Sequence, residues 1–147
     1  MLQGKVLRAQ NSFFYVETPQ GIVEAKLRGR LKKARIAVVP GDEVELELLE
    51  DGTGIIEHRS ARKNLLRRPT VANIDQVVLV FAAREPNINP VLIDRFLVLA
   101  EWSKIEHIVL CINKMDLLNG EEKEIFALAA RYREIGYLVH LISTVTG

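Results

Sequence analysis

The apolar pattern changes character near residue 70, and that change restricts the fold more than any other feature. Before it, residues alternate in short runs: Ile22–Leu27 switches between apolar and polar, and Val44-Glu45-Leu46-Glu47-Leu48 does so strictly. Alternation of this kind marks strands half buried against a core. After it, Gln76–Ala83 is a nearly unbroken apolar run, expected of a parallel strand buried on both faces. A 147-residue chain with both patterns is expected to fold as two domains of different class, residues 1–60 and 74–147, joined by a basic link over 61–73.

The first domain reads as all-β. Gly4–Gln10 and Ser12–Thr18 are short runs separated by Asn11, and Pro19-Gln20-Gly21 is a turn. Residues 29–41 are basic and close on Pro40-Gly41. Asp51-Gly52-Thr53-Gly54 is a hairpin turn, with Gly54–Arg59 as the returning strand. Five short strands with one long connection point to a small closed barrel, and the OB-fold is the leading candidate.

The second domain reads as β-α-β-α-β, the pattern of a parallel sheet with right-handed crossovers. Leu92, Phe96 and Leu99 share a helical face within Pro90–Ser103, with Ile93, Leu97 and Ala100 beside it. His107–Ile112 is a second buried strand. Ile125, Leu128, Ala129 and Tyr132 recur at helical spacing, Gly136 follows as a C-cap, and Tyr137–Ile142 is a third strand. Three strands and two helices cannot cover both faces of a parallel sheet. The chain is therefore expected to be a fragment of a longer protein.

Charge divides along the same boundary. Residues 1–70 hold 13 Lys+Arg and 9 Asp+Glu, whereas residues 71–147 hold 7 and 10. The excess of +4 in the first part suits a polyanionic partner. The single cysteine, Cys111, excludes an internal disulfide and suits the cytoplasm. No apolar run is long enough to span a membrane, and the opening MLQGKVLRAQ has no apolar h-region, so no secretory signal is expected. Cys111, His58, His107 and His140 are scattered without zinc-type spacing, so no metal site is expected here.

Asn113-Lys114-Met115-Asp116 matches Asn-Lys-x-Asp, the guanine-reading motif of GTPases, and follows a buried strand, where α/β folds place ligands. The Asp116 carboxylate can accept from guanine N1–H and the 2-amino group together, a donor pair adenine lacks. Asn113 would bridge the base and neighbouring loops, and the Lys114 stem would lie over the base. One βα unit later, Ser143-Thr144-Val145-Thr146-Gly147 looks like the Ser-Ala-x-x-Gly loop that closes over guanine, with Thr144 in place of Ala. No Gly-x-x-x-x-Gly-Lys-Ser/Thr occurs, so no phosphate-cradling loop is present in these residues. Asp51-Gly52-Thr53-Gly54 spells the Asp-x-x-Gly switch motif but lies in the barrel, and is read as a turn. Either the chain is no GTPase, or its motif order is permuted.

The permuted order resembles the ribosome small subunit-dependent GTPases, in which an OB-fold precedes a circularly permuted P-loop GTPase domain. The resemblance rests on Arg28-Gly29-Arg30, Gly41-Asp42-Glu43-Val44, Arg62 through Pro69, Ala72-Asn73-Ile74-Asp75-Gln76, Pro86, Asp94-Arg95-Phe96 and Asn113-Lys114-Met115-Asp116-Leu117. It runs the length of the chain. It implies a GTPase of small-subunit (30S) maturation that binds GTP/GDP and rRNA and works as a monomer. It also implies Mg2+ and Zn2+, with ligands outside this chain. The P-loop and both switches would follow Gly147, so no catalytic residue is expected here and the chain alone is expected not to hydrolyse GTP. The alternative reading is a non-catalytic OB-fold RNA-binding module supported by its α/β half.

The expected RNA contact is the cluster Lys26, Arg28, Arg30, Lys32, Lys33 and Arg35, which can track a phosphate backbone. Phe13 and Tyr15 alternate to one face of the second strand and Phe14 to the other, and at least one of them is expected in the core. Arg59, Arg62, Lys63, Arg67 and Arg68 crowd the link, to face RNA or to pair with acidic residues of the α/β half. Asp94 and Arg95 are read as a structural pair.

Overall fold

A computed structural model describes residues 1–146 as two compact units, Met1–Ile74 and Asp75 onward. The first unit is built on a closed barrel of β1 (Leu2–Gln10), β2 (Phe13–Thr18), β3 (Gly21–Leu27), β4 (Glu43–Leu48) and β5 (Gly54–Arg59). Neighbours run β1-β2-β3-β5-β4, and β1 pairs with β4 to close the ring. Antiparallel pairing holds throughout except between β3 and β5, which are parallel. This is the five-stranded barrel, with OB-fold topology, that the alternating runs predict. Closure removes the exposed edges that an open sheet of this size would carry. Val6, Val16, Val44, Leu46 and Ile56 fill the interior, each at most 2% exposed.

Two bulges shift the register. On β1, Val6 faces Val16 but Arg8, not Leu7, faces Tyr15. On β5, His58 faces Glu45 and Ile56 faces Leu46, so Glu57 is the extra residue. A bulge re-aims the side chains beside it. The basic connection 29–41, expected as a loop, opens with a short helix, α1 (Gly29–Lys33), whose Leu31 plugs the barrel core.

The segment 61–73, expected as a polar link, is a structured hairpin of β6 (Leu65–Arg67) and β7 (Thr70–Ala72) packed on the barrel. Ala72 N–H donates to the Pro40 carbonyl, and the Asn73 side chain donates to the Gly41 carbonyl. Gly41 has φ +88, and a Cβ there would lie 2.0 Å from the Ala72 oxygen. Only glycine permits this approach. Asp42, fully buried, accepts from Arg62 Nε at 2.7 Å and from the Val39 N–H at 2.8 Å. Arg62 thus pairs within its own unit. Arg62 Nη2 also donates to Asp42, at 2.9 Å, and these side-chain bonds hold the Arg62 guanidinium above its ordinary pKa.

The second unit is a parallel sheet of order β10-β9-β8, from β8 (Gln76–Ala82), β9 (His107–Asn113) and β10 (Leu138–Leu141). Helices α2 (Pro90–Trp102) and α3 (Glu122–Ile135) form the crossovers. Asn89 caps α2 by accepting from Leu92 N–H, with Pro90 at the first helical position, where a missing N–H costs nothing. Gly136 ends α3 at φ 116. Ile93 and Leu97 of α2 and Ile125, Leu128 and Ala129 of α3 pack on Leu110, Ile112 and Val139. Tyr132 donates to Asp94 at 2.7 Å, joining the helices, and burial with that carboxylate pushes the Tyr132 hydroxyl above its usual pKa.

One expectation about this sheet is corrected. β8 is not buried on both faces: Val78 and Val80 are 50% and 59% exposed. By alternation Leu79 and Phe81 point to the helices and Val78 and Val80 away from them. Among the described residues both helices lie on one face and the other is left open, as the count of three strands and two helices implies.

Candidate functional site

The guanine-motif residues sit where parallel strands end. β9 finishes at Asn113, whose carbonyl accepts from Ala83 N–H. The Asn113 side chain accepts from Lys114 N–H at 2.7 Å. That bond tightens the turn, and Lys114 takes the left-handed conformation at φ 62. Lys114 Nζ donates to the carbonyl of Glu85, drawing the loop after β8 toward the motif. Asp116 falls in a single 3-10 turn, Met115–Leu117, rather than capping an α-helix. Leu118, 2% exposed, anchors that turn in the core.

The second loop is brought to the first by strand pairing. β10 lies beside β9 with Leu141 opposite Ile112, so both strands end at the same level. Ile142 N–H donates to the Ile112 carbonyl, and Met115 N–H to the Ile142 carbonyl. Buried Ser143 then donates from Oγ to Asp116 Oδ1 at 2.5 Å. The same Oγ accepts from Val145 and Thr146 N–H at 3.1 Å each, winding the loop around the serine. A carboxylate has about four acceptor positions, so one serine bond orients Asp116 and leaves capacity for a pair of ligand donors. Thr144 is exposed beside it. Gly147, the loop's last motif residue, lies outside the described residues.

The basic cluster on the barrel is divided by the structure. Arg28 and Arg30 both bind Glu57, the bulge residue, whose side chain is 8% exposed. Arg30 also donates to the Glu57 carbonyl at 3.1 Å, and Arg28 reaches Glu47 at 3.4 Å. These arginines neutralise a buried carboxylate, which would be costly left alone. Lys26, Lys32, Lys33 and Arg35 are exposed on the same part of the barrel. Sequence reasoning misses Glu57 because its place in Gly54–Arg59 reads as an ordinary strand position; only the bulge turns it toward the arginines. Among the aromatics Phe14 is the core residue, whereas Phe13 and Tyr15 are half-buried on the outer face. Among the described residues no cluster of three or more His, Cys, Asp or Glu could hold a metal ion.

An OB-fold barrel followed by a parallel βα unit that carries Asn-Lys-x-Asp before any phosphate loop is the architecture of a circularly permuted GTPase. Residues 59–147 match the family described as RsgA GTPase, and residues 3–56 match the RsgA N-terminal domain. The chain belongs to the RsgA GTPase family.

It is 44% identical over 146 residues to the small ribosomal subunit biogenesis GTPase RsgA of Caldanaerobacter subterraneus subsp. tengcongensis, covering 99% of this chain and 48% of that protein. The RsgA of Bacillus anthracis is 42% identical, with 99% and 50% covered. Among solved structures, YjeQ from Thermotoga maritima superposes with a TM-score of 0.88 at 36% identity, over 99% of this chain and 52% of that one. YloQ, described as a circularly permuted GTPase, gives 0.84 at 37% identity, over 98% and 52%. The chain spans about half the length of the curated relatives it matches.

Proposed function

We propose that this chain forms the guanine-reading and RNA-binding part of a GTPase of small ribosomal subunit biogenesis. Asn113, Lys114, Asp116, Ser143 and Thr144 receive the base of GTP or GDP, with Asp116 as selector. Lys26, Lys32, Lys33 and Arg35 meet rRNA phosphates, with Arg28 and Arg30 shaping the surface around Glu57. It acts as a monomer in the cytoplasm, on the small subunit and its rRNA. Mg2+ and Zn2+ would be held by residues outside these 147, and nothing in this reading is routed through them. The observation that carries the reading is the Ser143–Asp116 hydrogen bond, which joins two loops 27 residues apart at the end of adjacent strands. No helix among the described residues is long and apolar enough to cross a membrane.

The nucleotide part is tested in a chimera joining residues 1–147 to the second half of the Caldanaerobacter relative. Unlabelled GDP is expected to displace a fluorescent GDP, and ADP at the same concentration is not. Equal displacement by both would overturn it.

The RNA part is tested by filter binding across a salt series. Lys32→Glu with Lys33→Glu is expected to weaken binding to RNA of any sequence. It should reduce the slope of log K against log salt by about 1 for each phosphate no longer neutralised. An unchanged slope would place the RNA elsewhere than on α1. Arg28 and Arg30 are poor choices for this test, because reversing them also strands Glu57.

A further inference from the structure

The Asn-Lys-x-Asp turn is held from two sides, and the loop after β10 supplies only one of them. On the other side stand three consecutive residues of the loop after β8. Ala83 N–H donates to the Asn113 carbonyl at 2.8 Å. Arg84 pairs with Glu121, and the Glu85 carbonyl accepts from Lys114 Nζ. The three contacts fall at the start of the turn, on its lysine, and just past its end. Glu121 is itself tied to the turn, since its N–H donates to the Leu118 carbonyl at 3.0 Å. Glu85 and Lys114 are both left-handed, at φ 53 and 62. Residues with a Cβ keep that conformation only where their surroundings hold them in it. Packing contributes little on this side. Glu85 is exposed, and a cavity of about 430 Å3 lies between the loop and the start of α3, lined by Arg84, Ile88, Leu118, Glu121 and Ile125 among others.

We infer that Arg84 is a positioning residue for guanine recognition. By pairing with Glu121 it fixes the loop after β8, so that the Glu85 carbonyl holds Lys114 in place before a base arrives. This rests on the guanine-reading proposal above and deepens it. The physical reason is preorganisation. A free lysine side chain has large rotamer freedom and loses it when its stem packs on a base. With Nζ already held, that loss precedes binding and no longer opposes it. Arg84 touches no base in this scheme; it acts through Glu85 and Lys114. The Arg84 and Glu121 side chains are 37% and 65% exposed. A pair so exposed adds little to stability, so its effect is expected in affinity rather than in folding.

The test uses the chimera with the Caldanaerobacter half and displacement of fluorescent GDP. Arg84→Ala is expected to weaken GDP binding ~3-fold and to leave the thermal midpoint unchanged. Arg84→Lys keeps the charge and should recover most of the affinity. Glu124 lines the same cavity and is a substitute partner for Arg84, so the variants are made at Arg84 rather than Glu121. In a Lys114→Ala background, Arg84→Ala should cause no further loss, because its route to the base is gone. In the 147-residue chain itself, NMR relaxation of the Lys114 side chain should show greater motion in Arg84→Ala. Wild-type GDP affinity or unchanged Lys114 motion in Arg84→Ala would overturn the inference. So would an equal loss with and without Lys114, or a loss that follows a lowered thermal midpoint. If the unaltered chimera takes GDP and ADP alike, the guanine reading fails and the positioning role with it. If it prefers GDP and Arg84→Ala behaves as the wild type, only the positioning role fails.

Discussion

Asp116→Asn is expected to move base preference from guanine toward xanthine. Ser143 Oγ donates to Asp116 Oδ1, which sets the orientation of the carboxylate. In the variant the amide oxygen keeps the serine proton, and the amide nitrogen takes the position of the second carboxylate oxygen. That nitrogen then points two hydrogens at guanine's own donors, whereas xanthine presents a carbonyl at the same place. Charge-assisted bonds such as those broken here contribute roughly 1.5–3 kcal/mol. GTP affinity should therefore fall ~10-fold or more. The measurement is competition among GTP, XTP and ATP in the chimera with the Caldanaerobacter half. A wild-type ratio of GTP to XTP would show that Asp116 does not read the base.

The second large effect is on stability. Asp42 is 0% exposed, and its carboxylate holds Arg62 through both oxygens, at 2.7 and 2.9 Å. Arg62 also donates to the Ala37 carbonyl at 2.9 Å, so the pair ties the chain after β5 to the loop that precedes β4. Removing one partner of a buried ion pair strands the other charge and costs roughly 3–5 kcal/mol. That is a large share of the roughly 5–15 kcal/mol that holds a domain folded. Asp42→Ala should therefore lose amide-exchange protection throughout Met1–Ile74 and leave residues from Asp75 onward as protected as before. Each unit is compact in itself, and the pair lies wholly within the first. Unchanged protection in the barrel would mean that Arg62 finds water or another acceptor when Asp42 is gone.

Asp42 also shows where sequence reading stops. Gly41-Asp42-Glu43-Val44 is one of the segments carrying the family resemblance, yet nothing local says that Asp42 is buried. Its neighbours are polar, and its partner is 20 residues away. Similarly, Arg62 in a run of basic residues reads as a charge that faces RNA or pairs with acidic residues of the α/β half, whereas its partner is Asp42. The proposed guanine site is more legible, because Asn113, Lys114 and Asp116 lie within four positions and follow an apolar strand. The bond to Ser143 depends on two parallel strands ending level, which spacing alone suggests only through the family pattern.

What the sequence determined by itself was the type of the five barrel strands and of the β-α-β-α-β elements, together with the presence of Asn-Lys-x-Asp after an apolar strand; the short helix α1 and the hairpin β6–β7 it did not. Side-chain alternation and helical spacing are set within a few residues, by backbone geometry that every strand or helix shares. The tertiary structure alone decided what depends on register and coverage. It left Val78 and Val80 exposed because both helices lie on the other face of the sheet. It also turned Glu57 toward Arg28 and Arg30 and set Arg8 over Tyr15, each through one extra residue in a strand. A single-residue bulge changes which side chains meet across a ladder without altering the apolar pattern that announces the strand.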